Sequence, residues 1–316
     1  MPQFYPDAPE SYYHALVKTL SSEVQPREGS VSAESIMFSK LLALSAIRDE
    51  EQYKAGFRIG KLYYAKAYKP AKYKWYEDAI PILMSLLQHL GYKATYRMSS
   101  LGNPIITLKQ SHSIYLGYDM HSFESGIISG FLSRAKNSYV RMYERECSCN
   151  GYEECVFGPG VQSRQTMDSA ILLKRFALHL QGSHLKAVHN DFSPAYNAVI
   201  LAPIKHAKVQ YSSMYLLGEY VQNEFGFLNT NTLPVRMIME IIKKVSAYES
   251  LESSEGSVSM VFDPLNSDSS YIESLSQFIK GLTGNIATVS QGLSDSGLNY
   301  TLTIDFGAKL LKLKNK

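Results

Sequence analysis

Hydrophobic residues in this chain recur at helical spacing in long segments, which alternate with shorter segments typical of strands. In the first half, apolar residues at this spacing predict helices over 11–24, 33–48, 50–68, 73–90 and 121–135. Residues that alternate in a strand-like pattern predict strands over 92–99, 103–109, 138–147 and 154–158. Pro81 lies inside the fourth of these helices, so we expect a kink or a break there.

The second half of the chain predicts a similar order of elements. Its helices are expected over 167–180, 205–225, 233–247 and 269–282, and its strands over 256–262, 285–290 and 299–306. A polar, turn-rich segment, 159–166, separates the halves and is the predicted linker. We therefore expect an α+β fold of two tandem domains, 1–158 and 167–316, each with helices packed on a small antiparallel sheet.

The two halves also resemble each other in sequence. A shift of 158 positions aligns residues of the two halves without a gap, including Phe38 with Tyr196 and Gly60 with Gly218. Near the end of each half the shift falls to 148, which pairs 123–140 with 271–288. Because residue identity is low, two interpretations stay open: a true duplication, and a coincidence of two helical periods.

Composition and charge narrow the class of protein. The 316 residues are 45% hydrophobic and 19% charged, which is typical of globular proteins with buried cores. The formal net charge of +3 is too small to indicate a nucleic-acid or membrane partner. The first twenty residues carry acidic residues and prolines where a signal peptide needs a basic start and an apolar core, so we expect no signal peptide. No run approaches the roughly 18–20 apolar residues that span a bilayer. We therefore expect a soluble, cytoplasmic protein.

All three cysteines of the chain lie within nine residues, from Cys147 to Cys155. An odd number excludes a complete disulfide framework and favours a reducing compartment. Such crowding is more typical of thiolates that bind a metal than of small apolar side chains in a core.

His121 and Glu144 complete a candidate metal site with Cys147 and Cys155. Zinc binds thiolate sulfur, imidazole nitrogen and carboxylate oxygen, and four such ligands form a closed, structural site. Glu144 and Cys147 are three residues apart at the end of a predicted strand, where a bulge or turn can direct both inward. The eight-residue step to Cys155 is long enough for a hairpin that returns the last thiolate to the same point. We therefore expect one structural zinc ion per chain.

The same residues resemble a known family. The sequence reads His121, then Gly126 and Gly130, then Glu144 and Cys147 as E-x-x-C, and finally Cys155 in C-V-F. This order resembles the 4-vinyl reductase domain family, which is related in fold to small subunits of the vesicle-tethering transport particle. The segment 53-YKAGFRIGKLYY-64 is similar to the opening helix of that family. The resemblance covers residues 35–158, and E-x-x-C followed by C is its specific part.

The resemblance implies two tandem 4-vinyl-reductase-like domains, of which the second copy is degenerate. Zinc-binding members have a cysteine where this chain has His121, and histidine is also a competent zinc ligand. The positions of the second half that align with the four ligands are Ser269, Gly292, Asp295 and Thr303, a set that cannot hold zinc. An alternative stays open, in which the cysteines are ordinary reduced residues and Glu144 is a solvated carboxylate. The role of Cys149, a spare thiol, also stays open.

Other patterns in the sequence do not indicate a nucleic-acid site or a catalytic site. Residues 61–76 interleave lysines with aromatic residues, as single-strand nucleic-acid surfaces do, but with this small net charge we interpret them as an amphipathic helix end. The chain contains no P-loop, G-x-G-x-x-G or G-x-S-x-G motif. Four protein ligands leave no position on zinc for a reactive water, so we expect no enzymatic activity.

The resemblance implies a regulatory protein that senses a small apolar or aromatic molecule and acts through a partner protein. Its halves would form an intramolecular pseudo-dimer, and a homodimer of the whole chain stays open. A second hypothesis is a scaffold for a protein assembly, without a small ligand. A third, an enzyme of tetrapyrrole or hydrocarbon metabolism, rests on the family name alone. A closed interior cavity would favour sensing, whereas an exposed apolar patch on the helices of 50–90 would favour the scaffold.

Overall fold

The structure, a computed structural model, describes most of both halves of the chain. The described residues are 14, 17–18, 32–67, 76–109, 121–150, 152–160, 169–184, 194–201, 204, 211–226, 235–254, 256–262, 269–284, 286–294, 297 and 299–306. Most of the predicted helix over 11–24 lies outside them, as do residues 161–166 of the predicted linker and 205–210 of a predicted helix.

Helices and strands follow one another largely in the predicted order within the described residues. The helices are α1 (Ala33–Ala46), α2 (Asp49–Ala67), α3 (Ile80–His89), α4 (Ser122–Lys136), α5 (Ser169–His184), α6 (Pro194–Leu201), α7 (Tyr211–Gly226), α8 (Val235–Val245) and α9 (Ser269–Thr283). The strands are β1 (Lys93–Met98), β2 (Pro104–Lys109), β3 (Tyr143–Glu146), β4 (Cys155–Gly158), β5 (Ser250–Ser254), β6 (Ser257–Phe262), β7 (Thr288–Leu293) and β8 (Tyr300–Asp305). The predicted α+β class is therefore confirmed.

Some elements differ from the prediction for local reasons. The helix expected over 73–90 begins only at Ile80, because Pro81 occupies its first turn and a 3₁₀ turn, Tyr76–Ala79, precedes it. The strand expected over 138–147 is reduced to the four residues of β3. The sequence pattern predicts neither α6 nor β5. Strand β5 reads SLESS, with one apolar residue, and it owes its conformation to pairing with β6.

Each half contains a four-stranded antiparallel sheet with the same strand order. The first sheet runs β1–β2–β4–β3 and the second runs β5–β6–β8–β7. In both sheets two hairpins lie side by side, with the second strand of each hairpin at the centre. The helix between the two hairpins is α4 in the first half and α9 in the second. The halves therefore share one topology.

Glycines bring two helices into backbone contact in each half. A Cβ atom added to any of these glycines would lie under 3.0 Å from a backbone oxygen of the facing helix, closer than real Cβ atoms come. They are Gly56 and Gly60 on α2, Gly126 and Gly130 on α4, and, in the second half, Gly218 on α7 and Gly281 on α9. The G-x-x-x-G patterns of the sequence therefore mark the close packing of α2 on α4.

These contacts fix how the two halves correspond. Gly60 faces the backbone of Ile127, and Gly218 faces the backbone of Phe278. The two glycines are 158 residues apart, whereas the residues that they face are 151 apart. The sequence alignment with a shift of 148 in this segment is therefore wrong by three residues. Three residues are almost one helical turn, which is why the hydrophobic pattern still matched.

The two halves interlock. Helix α1 of the first half packs against α5, α6, α8 and α9 of the second half. The ring of Phe38 on α1 meets Tyr271 and Phe278 of α9 edge-on, with centroids 6.1 and 5.4 Å apart. Conversely, Tyr196 on α6 meets Tyr92 of the first half at 5.6 Å. Because Phe38 and Tyr196 are the aligned pair, the exchange is reciprocal, and the buried apolar residues form one continuous core.

Candidate metal centre

Four buried side chains converge between α4 and the β3–β4 hairpin. His121, Glu144, Cys147 and Cys155 each offer one ligand atom, and these atoms all lie within 4.8 Å of one another. The four residues are buried, with exposed fractions of 1%, 6%, 2% and 0% in the same order. Within the described ranges, this is the one group of three or more such residues that could hold a metal ion. The structure therefore brings together all four residues selected from the sequence.

The local fold explains why these side chains meet. His121 directly precedes α4 in the N-cap position, but its side chain makes no capping hydrogen bond. Glu144 lies on β3, where a register shift between Glu144 and Glu146 marks a β-bulge. The bulge allows Glu144 and Cys147, three residues apart, to face one side, whereas a regular strand would place them on opposite faces. Cys155 begins the neighbouring strand, β4, and supplies the last ligand.

The spacing of the ligand atoms fits a tetrahedral zinc ion. Two sulfurs bound at about 2.3 Å would lie about 3.8 Å apart at the tetrahedral angle. Cys147 Sγ and Cys155 Sγ are 3.9 Å apart. His121 Nδ1 and Glu144 Oε1 are 2.9 Å apart, and this contact does not have the alignment of a hydrogen bond. A cation bound by both atoms accounts for a buried approach of this kind.

Backbone N–H groups of one turn point at the two sulfurs. Residues Ser148–Asn150 form a 3₁₀ turn directly after Cys147. The amide of Ser148 donates to Cys155 Sγ, and the amide of Cys149 donates to Cys147 Sγ, both at 3.4 Å. Donors of this kind stabilise thiolate charge and hold metal ligands in orientation. The turn therefore supports the metal-binding form of both cysteines.

The net effect of the surroundings, despite these amide donors, is to raise the pKa of both thiols. Hydrogen bonding with Cys149 and burial raise the pKa of Cys147, and hydrogen bonding with Cys147 and burial raise the pKa of Cys155. The charge of His121 acts in the opposite direction on both thiols. A zinc ion would supply the missing positive charge and bind the cysteines as thiolates, so its binding would release protons.

A second buried polar cluster lies one helical turn beyond the metal ligands. Glu124 is on α4, three residues after His121, and its side chain is fully buried. Its Oε1 accepts hydrogen bonds from Lys40 Nζ at 2.8 Å, from the Tyr92 hydroxyl at 2.7 Å and from the Tyr196 hydroxyl. Burial alone would raise the pKa of Glu124, but the charges of Lys40 and His121 lower it. Because Tyr196 belongs to the second half, this cluster connects the helix of the metal site to the junction between the halves.

A small polar cleft adjoins the candidate site. Two metal ligands and five other side chains line it: His121 and Glu144 with Tyr53, Ser122, Ser125, Arg141 and Tyr143. Its free volume is about 10 Å³, which is room for about one water molecule. The Arg141 guanidinium pairs with Glu50 at 3.0 Å and lies 4.5 Å over the ring of Tyr53. The cleft is therefore too small and too polar to hold an aromatic ligand.

The described part of the second half contains no comparable cluster. With the corrected shift of 151, Ile272 takes the place of His121, and it is buried in the core. Thr303, aligned with Cys155 from the sequence, instead places its hydroxyl 3.1 Å from that of Ser259 on the neighbouring strand. The other aligned positions are Ser269 at the start of α9, Gly292 on β7, and Asp295, which lies outside the described residues.

Two alternatives left open by the sequence can be compared with this geometry. Glu144 is buried, so it is not the solvated carboxylate that the alternative to a metal site required. Cys149 is half-buried and is not among the four clustered ligands, although its backbone amide supports Cys147.

No helix in the described part of the chain combines the length and the apolar character needed to cross a membrane.

Comparison with family models, with curated proteins and with solved structures found no match to this chain. The resemblance to the 4-vinyl reductase domain family therefore rests on the residues of the E-x-x-C segment and its surroundings.

Proposed function

We propose that this protein binds one zinc ion through His121, Glu144, Cys147 and Cys155, and that the ion is a structural clip. The observation that carries the proposal is the buried cluster of four ligand atoms within 4.8 Å, with the sulfurs at tetrahedral spacing. The clip would tie the start of α4 to both strands of the β3–β4 hairpin. These elements follow one another along the chain but are separate parts of the fold, so the metal would stabilise the first half by holding the helix against the hairpin.

The donor set explains the choice of metal and of role. Two thiolates with one imidazole and one carboxylate suit zinc, whereas magnesium and calcium prefer oxygen ligands alone. Four protein ligands close the coordination shell and leave no position for a reactive water, so we propose no catalytic role for the ion. None of the three cysteines forms a disulfide, which suits a reducing compartment, and we propose a cytoplasmic location.

We further propose that the clipped first half binds a small apolar or aromatic molecule and that the second half passes this event to a partner protein. The family resemblance supports the ligand class, and the position of α4 supports the coupling. Helix α4 follows the metal ligand His121, carries the Glu124 cluster that reaches Tyr196, and contacts α2 through glycines. A ligand that shifts α4 would therefore also shift the junction between the halves.

Native mass spectrometry of the purified full chain, followed by denaturing mass spectrometry, tests both parts of this proposal. One zinc ion per chain together with a small organic adduct is the expected result. One zinc ion without an adduct would support the clip and remove the support for sensing. Absence of zinc from protein purified without chelators, and after addition of zinc, would overturn the proposal. Cys147→Ser should lose the zinc ion. Cys149→Ser is its matched control, because it replaces a thiol only two residues away that is not a proposed ligand.

Exposed apolar side chains favour a scaffold as the second candidate function. Ile171 and Leu178 are 46% and 51% exposed and lie seven residues apart on one face of α5. Leu216 is 45% exposed on α7, which packs against α5. The described residues of 50–90 contain no large exposed hydrophobic side chain, so the particular patch that would have favoured a scaffold is not found there. If the chain is a scaffold, Leu178→Glu with Leu216→Glu should abolish partner binding in a pull-down and leave zinc content unchanged.

A further inference from the structure

The two cysteine ligands lie on neighbouring antiparallel strands with their sulfurs close together. Cys147 follows the last residue of β3, and Cys155 is the first residue of β4. Their Sγ atoms are 3.9 Å apart, and both side chains are buried. A disulfide bond is about 2.05 Å long, so a closing movement of about 1.9 Å joins the sulfurs. The same arrangement that suits a metal therefore also suits a crosslink.

We propose that Cys147 and Cys155 form a reversible disulfide under oxidation, and that this disulfide and the metal exclude each other. A disulfide would remove two of the four ligands and leave only His121 and Glu144, which cannot complete a tetrahedral site. The release of metal rests on the proposed zinc function, whereas formation of the disulfide does not. Oxidation would then release the structural metal ion, so metal occupancy would depend on the redox state of the compartment.

Hydrogen peroxide is the oxidant that the reaction requires. One thiolate sulfur attacks an oxygen of the peroxide, the O–O bond breaks, and a sulfenic acid and hydroxide form. The second thiolate attacks the sulfenic sulfur, the S–O bond breaks, the S–S bond forms, and a second hydroxide leaves. Each hydroxide takes up one proton released by the cysteines or the solvent. One peroxide thus becomes two waters while two thiols become one disulfide.

The geometry favours Cys155 over Cys149 as the partner of Cys147. Cys149 is two residues from Cys147 in a tight 3₁₀ turn, and its amide donates to the Cys147 sulfur. Cys155 instead approaches from the opposite strand of the hairpin, and its sulfur lies 3.9 Å from the Cys147 sulfur. Cys149 is therefore dispensable for the crosslink, and Cys149→Ser keeps both of the reacting thiols.

The test uses the full chain, first reduced and loaded with zinc, then treated with hydrogen peroxide. Zinc release is measured with a colorimetric chelator, and the crosslink is measured by intact mass and peptide mapping. Wild type and Cys149→Ser should each release one zinc per chain, lose about 2 Da and yield a Cys147–Cys155 peptide. Dithiothreitol followed by zinc should restore the original mass and the metal content. Cys155→Ser should form no such peptide.

Several results would overturn the inference. One is a disulfide that needs Cys149, seen as its absence from Cys149→Ser. Another is irreversible oxidation to sulfinic acid in place of the crosslink. A third is zinc that stays bound after the disulfide has formed. If the reduced protein binds no zinc at the start, the proposed clip fails, and the mass of the peroxide-treated protein still decides whether the pair forms.

Discussion

The hydroxyl of Ser39 on α1 donates a hydrogen bond to Oδ1 of Asn197 on α6, and both residues are fully buried. The two residues are 158 positions apart, which is the shift that aligns the two halves. Equivalent residues of two subunits meet each other only beside a twofold axis. The contact therefore places a pseudo-twofold axis between α1 and α6, and it supports the interpretation of the chain as an intramolecular pseudo-dimer.

Ser39→Ala should destabilise the protein by about 1–3 kcal/mol, because it removes a buried donor and leaves the amide oxygen of Asn197 without this hydrogen bond. Urea unfolding of the zinc-free chain measures the effect. Ser45→Ala is the matched control, since Ser45 lies on the same helix and its hydroxyl donates to the carbonyl oxygen of Leu42 in its own turn. The control should change the free energy of unfolding by no more than about 0.5 kcal/mol. Equal effects of both changes would argue against a structural role for the contact at the axis.

Gly60→Ala and Gly218→Ala should have similar, severe effects, because each added methyl group would meet a backbone oxygen of the facing helix. Separation of packed helices costs about 1–3 kcal/mol or more. Gly292→Ala is the control, since Gly292 lies on the exposed strand β7. A Cβ atom added there would lie 3.1 Å from the hydroxyl oxygen of Thr301, which is part of a side chain and not of a backbone. Thermal unfolding of the three variants measures the difference. Tolerance of alanine at Gly218 would show that α7 and α9 do not pack as α2 and α4 do.

Replacing only one partner of the buried ion pair between Lys40 and Glu124 should destabilise the protein more than replacing both partners. Lys40→Met leaves the Glu124 carboxylate buried without its cation and should cost about 3–5 kcal/mol. The double variant Lys40→Met with Glu124→Leu removes both charges and should recover at least about 2 kcal/mol of that loss. A double variant less stable than Lys40→Met would contradict this account. Chemical denaturation of both variants at neutral pH measures the coupling.

The same pair should contribute to acid unfolding. Burial tends to raise the pKa of Glu124, but Lys40 and His121 outweigh it and the pKa is lowered in the folded protein. A lowered pKa gives stability that is present above the unfolded value of about 4.3 and is lost as the pH falls through the folded value. The zinc-free wild type should therefore lose more stability between about pH 5 and about pH 3 than the double variant, in which this carboxylate is absent. Urea titrations at several pH values, with chelator present, test this difference.

Local sequence patterns were sufficient to predict the four residues of the buried cluster and most of the secondary-structure elements. The spacing of Glu144, Cys147 and Cys155 indicated a strand end followed by a hairpin, and the structure has a bulge and a turn at those positions. His121 was selected as the fourth ligand because it stands where zinc-binding members of the resembled family have a cysteine. A candidate metal site of this kind can be predicted from the sequence because its residue types are chemically distinctive and three of them are close along the chain.

Contacts between distant segments could not be predicted in this way. The cluster around Glu124 joins Lys40, Tyr92 and Tyr196, which no local motif connects. Strand β5 has almost no strand pattern and forms because β6 offers it a partner. The shift of 151 between α4 and α9 emerged only from the glycine contacts, because a helical pattern repeats almost unchanged after three or four residues.

X-ray absorption spectroscopy at the zinc edge of the purified, metal-loaded full chain tests the central claim most directly. The account predicts two sulfur ligands at about 2.3 Å and two nitrogen or oxygen ligands at about 2.0–2.1 Å. Cys149→Ser should leave the spectrum unchanged, whereas Cys147→Ser should lose sulfur scattering or the metal. A shell of oxygen and nitrogen alone, three sulfur ligands, or a chain that retains no zinc would contradict it.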